Sequence, residues 1–600
     1  MWVLGGSAKL RPMRKGIAVS PGVTIGEAYC IHEVFVDPDR SRLEASEVAA
    51  ELAKFENARK QSIRDLRALQ SKVENQVSRE AAAIFAVHVS ILNDSTLVGK
   101  IRSWIGEDRL SAPAALAKLV EYYRNLFHQS QDEYLKERLA DIRDVIERMT
   151  GFLSPALENE SSPLSGPTIV VADELLPSQV VMLGDKPVHG IVTQAGSQTS
   201  HAAIVARSRG IPAVSGVAGV LRQTKTGDTV IVDGREGHVI VNPEPEVLSA
   251  YKKLEREFFD LQNQLAHNRD QQAKTADGIS LDLMANINGV SDAQSATAMG
   301  AAGIGLYRTE YLYLTHSSVP GEEEQLEIYR DVIANSPDGR VTIRTLDIGG
   351  DKTVPFLGRG QREANPFMGW RSIRLSFEHP QFFLTQICAI MRCAASGPKE
   401  EPCDVKMMFP MVTNVEELRR LRTFVRKAEQ QLKQEEKPYG RVAFGMMLEV
   451  PAAAIMMDRL LPLVDFVSIG SNDLVQYLMA ADRDNPKVSH LCQPLSPAVI
   501  RILESVVETC NREGKPVTLC GEMAGQPQAF VLLLGMGLRR FSMSPAFIPT
   551  IKELAAQISL SKCRELLGLA KKQNTTRRIH SLLTKELSQL APQLRPVLMQ

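Results

Sequence analysis

The sequence carries no surplus of either charge: Lys plus Arg and Asp plus Glu each total 70, for a formal net charge of +0 at pH 7. Proteins that grip nucleic acid or an anionic membrane surface leave a basic excess or cluster, so neither partner is expected. No apolar run approaches the roughly 20 residues that span a bilayer. The opening MWVLGGSAKLRPMRKG has too short an apolar stretch for a secretory signal, and Met13 serves as a start as well as Met1. The eight cysteines are scattered without a C-x-x-C pair, which indicates neither a zinc site nor a disulfide framework. A reducing cytoplasm is the expected setting. The rest is ordinary: 600 residues, 44% apolar and 23% charged, read as two to four domains with well-filled cores.

The texture changes along the chain. Lys15–Tyr29 (KGIAVSPGVTIGEAY) reads as a strand with a turn at Pro21-Gly22. From Leu43 to Met149 almost nothing breaks a helix, and Val48, Leu52, Phe55, Leu66, Leu69, Val73 and Val77 recur at the helical period. Ser154–Pro167 is a linker by composition. Beyond it, TIVVA, HGIVTQ, TVIVDG and HVIVNP are short β-rich runs around one helix-like stretch, His201–Arg209. Val247, Tyr251, Leu254, Phe258, Leu261 and Leu265 form the narrow apolar seam of a long connector helix. Eight strand-then-helix repeats fill Gly278 to about Ile558: ISLDLMANI, GIGLYR, VTIRTLDI, VKMMFPMV, VAFGMMLEV, FVSIGSND, PVTLCGEM and RFSMSP. That is the pattern of a (β/α)8 barrel, whose chemistry sits at the C-terminal strand ends.

The polar residues of those runs fall at those ends. Arg308, Arg344, Arg371 and Arg483 are four guanidiniums at or just past strand ends, and a small multiply charged anion needs several converging forks. Glu449 closes FGMMLEV and Asp473 closes VSIGSND. Carboxylates after apolar strands are costly to leave unpaired. They suit a hard divalent cation that also touches substrate phosphate, or they pair with the arginines. Cys520, in VTLCGEMAG, is a proton donor or a core residue; the sequence leaves both open. In the earlier region His201 follows Thr199-Ser200, fitting helix N-caps, so it sits in a first helical turn. The positive helix end favours a neutral imidazole, and free backbone N–H groups there can cradle phosphate. Such a ring is suited to attack phosphorus, whereas a capping or packing His is the plainer reading.

The ordered segments KGIAVSPG, DEYLKERLADIRD, TSHAAIVARSRGIPAV, GIGLYRTEYLY, IRTLDIGGDK, NPFMGWRSIR, MFPMVTNVEEL, MLEVPAAA, FVSIGSNDLVQYLMAADRDN, LCGEMAG and FSMSP together resemble Enzyme I of the bacterial phosphoenolpyruvate:sugar phosphotransferase system. The resemblance implies an α/β multidomain protein. It has a phosphohistidine α/β domain (13–42 and 150–243), an inserted helical carrier-docking subdomain (43–149) and a connector helix (244–275). A phosphoenolpyruvate-binding, dimerising (β/α)8 barrel (276–560) follows, with a helical tail of no assigned role (561–600). It implies further that His201 takes the phosphoryl group of phosphoenolpyruvate and passes it to the carrier HPr or a relative. Arg308, Arg344, Arg371, Asn472, Asp473 and Arg483 would hold phosphoenolpyruvate, Glu449 and Asp473 would bind Mg2+, and Cys520 would protonate enolpyruvate.

The sequence also departs from its relatives. Where they commonly have two glycines and a basic residue before the histidine motif, this chain has Gly196-Ser197-Gln198, a stiffer loop with one charge fewer. Leu176 stands where many carry a Thr that bonds the unreactive ring nitrogen. The acidic run expected in the docking region is depleted over Asn93–Lys100, which leaves less attraction for a basic carrier. Pyruvate phosphate dikinase and phosphoenolpyruvate synthase share the phosphohistidine domain and barrel. They need a large nucleotide-binding domain before the histidine, and residues 1–150 hold no G-x-x-x-x-G-K-[ST] loop.

Overall fold

The computed structural model describes residues 14–20, 22–31, 42–76, 79–128, 133–153, 166–175, 179, 188–195, 206, 210–314, 319–349, 363, 365–395, 404–483, 485 and 487–594. It divides into two units, Met1–Phe259 and Asp260–Gln600.

The first unit is built on a sheet of eight strands: β1 (Arg14–Lys15), β2 (Ile17–Ser20), β3 (Val23–Ile31), β4 (Thr168–Ala172), β5 (Val188–Thr193), β6 (Ala213–Ser215), β7 (Thr229–Asp233) and β8 (His238–Val241). Their order is β1-β8-β7-β3-β4-β5-β6-β2, with β3 to β6 parallel and β7 and β8 antiparallel. Strand β4, TIVVA, is buried along its whole length, as a central parallel strand with both faces covered must be. Its residues alternate between two cores. Val170 and Ala172 pack with Ile191 and Ala213 on one face, while Ile169 and Val171 pack with Val192, Val214 and Val232 on the other, the two-residue period of a strand. Short β1 and β6 were not among the strands expected from the sequence.

Between β3 and β4 the described residues form five helices: Val48–Gln76, Arg79–Asn93, Ser95–Gly106, Ala112–His128 and Glu133–Leu153. Their apolar stripes meet in a separate core around Phe55, Leu66, Phe85, Leu92, Ile101 and Leu119. Asp94 starts the third of them, its carboxylate accepting the Leu97 N–H at 2.8 Å, an N-cap of the usual kind. The long helix Pro245–His267 carries the division between the units inside it. On the first side, Glu255 Oε1 accepts the Ile25 N–H of β3 at 2.9 Å; on the second, Leu265 belongs to the barrel core.

The second unit is a closed parallel barrel of β9 (Asp282–Ile287), β10 (Ile304–Arg308), β11 (Val341–Arg344), β12 (Val405–Phe409), β13 (Ala443–Leu448), β14 (Phe466–Ile469), β15 (Val517–Cys520) and β16 (Arg540–Met543), with β16 pairing back to β9. Each strand lies in one of the eight repeats read from the sequence. The lumen holds a small apolar cluster of Leu306, Met408, Met447, Phe466 and Cys520, and the outward residues pack against the surrounding helices. Of residues 561–600, whose role the sequence leaves unassigned, the described ones, 561–594, contribute to this same core. The helices Leu560–Lys571 and Thr576–Leu590 bury Leu566, Ile579, Leu583 and Leu587 in it. At about 1.5–3 kcal/mol for each buried aliphatic side chain, the segment is part of the barrel's shell. Among the described residues no helix is long and apolar enough to cross a membrane.

Candidate active site

Parallel strands point their C-terminal ends to one rim, and the charged residues collect there. Arg308 ends β10, Arg344 ends β11 and Cys520 ends β15. Glu449 follows β13, and Asp473 lies in the first turn of the helix Ser471–Met479 after β14. Arg371 is brought in by the turn before Ile373–Glu378, where it bridges to Gly349.

The arginines are held by carboxylates. Asp347 is the hub: Arg371 Nη2 donates to both its oxygens at 2.9 Å, Arg344 Nη1 pairs with it at 3.1 Å, and Ser372 Oγ donates to it. Arg344 Nη2 also donates to buried Glu310. Burial opposes the charge on Arg344, but Glu310, Asp347, Glu449 and Asp473 outweigh it and raise its pKa. Arg371 follows the same rule, with Asp347 the strongest of its supporting carboxylates. Its Nη1 donates to the Tyr477 hydroxyl at 3.2 Å, which in turn donates to the Phe367 carbonyl at 2.5 Å. Both guanidiniums are thus charged and fixed before any ligand arrives. Arg308 differs: it forms no ion pair with a carboxylate among the described residues, and burial, then Arg344, lower its pKa. Arg483, more exposed at 37%, reaches Asp473 Oδ1 at 3.5 Å.

The carboxylates at the rim are not fully used. Glu449 is wholly buried; Oε1 accepts the Met411 N–H at 2.6 Å, while Oε2 has no hydrogen-bond partner among the described residues. Burial, then Asp473 and Asp347, push its pKa up to about 8 against the pull of Arg344 and Arg371. Met411 holds this contact with φ of 55°, a left-handed conformation that costs a non-glycine residue free energy and often marks functional sites. Asp473 Oδ1 is likewise buried and, among the described residues, accepts no hydrogen bond, its ion pair with Arg483 being longer at 3.5 Å, and Arg371 lies 3.8 Å from its other oxygen. The loops here close tightly. A Cβ on Gly470 would sit 3.0 Å from Glu449 Oε2, and one on Gly521 would sit 2.0 Å from Ser471 Oγ. Asn472 Oδ1 accepts the Glu522 N–H at 3.3 Å, tying the loop after β14 to that after β15.

Two buried carboxylate oxygens that accept no hydrogen bond among the described residues, facing a cluster of arginines, form a donor set suited to a hard cation that is completed by an anionic substrate. Mg2+ commonly takes one or two carboxylates and fills its remaining positions with water and substrate phosphate. Glu449 and Asp473 fit that pattern, and among the described residues no group of three or more His, Cys, Asp or Glu is set to hold a metal. Cys520 is 3% exposed, with Ser468 Oγ 2.8 Å from its sulfur. Burial pushes its thiol up to about 11, with Ser468, Arg344 and Arg308 pulling the other way, so it is protonated at neutral pH.

Comparison with known proteins decides the family. The chain is 39% identical over 571 residues to a phosphoenolpyruvate-protein phosphotransferase of Bacillus sp. (strain S), a match covering 93% of this chain and 97% of the relative. That of Listeria innocua is 38% identical over 580 residues, covering 95% and 98%. The chain belongs to the phosphoenolpyruvate-protein phosphotransferase family. Family models agree along the chain: PEP-utilising enzyme, N-terminal, over 15–138; mobile domain over 164–237; and PEP-binding domain over 262–560. A solution structure of an Enzyme I protein, 34% identical, covers 41% of this chain and 99% of its own with a TM-score of 0.33.

Within this phosphotransferase fold the structure gathers Arg308, Arg344, Arg371, Glu449, Asn472, Asp473, Arg483 and Cys520 around the strand ends of the barrel. His201, with Leu176, Ser197 and Gln198, lies outside the described residues. Sequence reasoning missed Glu310, Asp347, Ser468 and Tyr477. Two had a legible signal: Glu310 stands two residues after Arg308, and Asp347 three after Arg344, each a carboxylate beside a strand-end guanidinium. Ser468 and Tyr477 had none, because only barrel closure sets them beside Cys520 and Arg371.

Proposed function

We propose that the protein transfers the phosphoryl group of phosphoenolpyruvate, with Mg2+, to His201, and from there to a histidine of the phosphocarrier HPr or a relative, releasing pyruvate. The observation that carries this reading is the barrel rim, where preset guanidiniums surround two buried carboxylate oxygens that accept no hydrogen bond among the described residues. Phosphoenolpyruvate presents a carboxylate and a phosphate. Arg344 and Arg371, each already anchored to Asp347, offer their remaining N–H groups to these anions, and Arg308 adds a guanidinium that forms no ion pair among the described residues. Arg483 closes the exposed side, and Asn472 lies at the junction of the two loops. Glu449 and Asp473 would hold Mg2+, which when bound neutralises charge on the transferring phosphoryl group. Such transfer depends on positioning and charge neutralisation far more than on covalent work by the protein. The protonated thiol of Cys520 would supply the proton that turns enolpyruvate into pyruvate.

Residues 43–149 would dock the carrier and residues 244–275 would link the two halves. The site residues, domain roles, cytoplasmic location and homodimer through the barrel belong to the same proposal. Ile455 and Met456, exposed at 77% and 43% just beyond β13, support the last, since exposed apolar neighbours mark association surfaces. Sedimentation equilibrium with phosphoenolpyruvate and Mg2+ would detect the dimer.

The test of function is intact-protein mass after mixing with phosphoenolpyruvate and Mg2+, beside His201→Ala. A phosphoryl group on the parent alone, lost in acid and kept in alkali, is the expected result. No added mass on a folded parent would reject the proposal.

A further inference from the structure

The lumen of the barrel contains a hydroxyl that packing does not require. Ser468, on β14, is 1% exposed, close to the apolar cluster of Leu306, Met408, Met447 and Phe466. A hydroxyl buried among such residues costs free energy unless it is bonded. The single hydrogen bond of this side chain among the described residues runs to Cys520 Sγ at 2.8 Å. The sulfur also faces the Ile469 carbonyl at 3.5 Å. The thiol is therefore placed from two sides: its S–H is directed to a carbonyl, and its lone pair accepts from Ser468. Arg308 and Arg344 face it as cations that favour the thiolate, and Glu449 faces it as an acidic group that opposes it.

We propose that Ser468 is a positioning residue for Cys520, holding the thiol at the rim and stabilising the thiolate left when it gives its proton to enolpyruvate. The inference rests on the reading of Cys520 as the proton donor. When the phosphorus–oxygen bond of phosphoenolpyruvate breaks, the enolate remains. As its C2–O bond becomes a carbonyl, the C2–C3 electron pair takes the proton from Sγ. The S–H bond breaks, a C3–H bond forms, and the sulfur keeps the electron pair. The Ser468 O–H then donates to an anion, a stronger bond than the one it made to the thiol. Water returns the proton to sulfur after pyruvate leaves. In reverse, the same bond holds the thiolate that removes a proton from pyruvate.

Two readouts on the full chain with Mg2+ separate this role from packing. Phosphorylation by phosphoenolpyruvate, followed by mass, needs only phosphorus–oxygen cleavage. Transfer of 13C label from pyruvate into phosphoenolpyruvate needs the thiolate as well. Ser468→Ala is expected to lower label exchange relative to phosphorylation roughly tenfold, the factor of one pKa unit. Its exchange-against-pH profile should move about one unit to higher pH, because the charged form has lost a donor. Ser468→Thr, which keeps the hydroxyl, should recover both. An unchanged pH profile in Ser468→Ala, or equal loss of both rates at every pH, overturns the proposal. If Cys520→Ala still exchanges label at the parent rate, the proton-donor reading itself fails. If Cys520→Ala loses exchange while Ser468→Ala keeps it, only the role of Ser468 fails.

Discussion

Replacing Glu449 by Gln separates a metal-ligating carboxylate from one that serves only to pair with the arginines. Without a cation beside it, burial and the neighbouring carboxylates of Asp473 and Asp347 push the Glu449 carboxyl up from its ordinary 4.5 to about 8. Between those values the native state holds a proton that the unfolded chain has lost, so stability falls as pH rises through the window. Over the whole window the loss is on the order of a few kcal/mol. Gln keeps the carbonyl that accepts the Met411 N–H and carries no charge to desolvate. Without Mg2+, Glu449→Gln should match the parent near pH 5 and exceed it by a few kcal/mol near pH 8. With Mg2+ and phosphoenolpyruvate the order should reverse, because only the parent gains a bound cation. Calorimetry of the full chain reads this in the transition that responds to Mg2+ and phosphoenolpyruvate. A Glu449→Gln protein less stable than the parent at every pH without metal would refute the reasoning. It would mean that the carboxylate is ionised and held by Arg344 and Arg371.

The other predictions concern single contacts. Arg371→Lys loses the two hydrogen bonds to Asp347 that fix the guanidinium; phosphorylation from phosphoenolpyruvate should fall about 100-fold in kcat/KM, since an ammonium cannot reproduce the fork. Ala480 ends the helix Ser471–Met479 with φ of 49° and is exposed. Ala480→Gly should therefore stabilise the barrel by about 1 kcal/mol, seen as a rise of a few degrees in Tm. Leu583, buried near the C-terminus, should cost about 2–5 kcal/mol on change to Ala, measured by denaturant unfolding. The same core contacts predict that removing residues 561–600 abolishes the cooperative barrel transition.

Much of the molecule was legible in the order of its residues. Apolar runs ending in Arg308, Arg344, Glu449, Asp473 and Cys520 follow a period that only strands alternating with helices satisfy, so the barrel and the rim that carries its chemistry could be read before any coordinates. Local pattern suffices there because a parallel strand is apolar throughout and changes character where it leaves the sheet. The helical insertion was legible for the same reason, its stripe repeating at 3.6 residues. Tertiary structure alone decided which polar groups meet. Asp347 joins two arginines 27 residues apart, Ser468 reaches Cys520 across 52 residues and Tyr477 reaches Arg371 across 106. Such pairs depend on which strands become neighbours when the barrel closes, and no period along the chain records that. The same holds for residues 561–594. Their amphipathic pattern shows that they need an apolar surface, and only packing shows that the surface is the barrel's own.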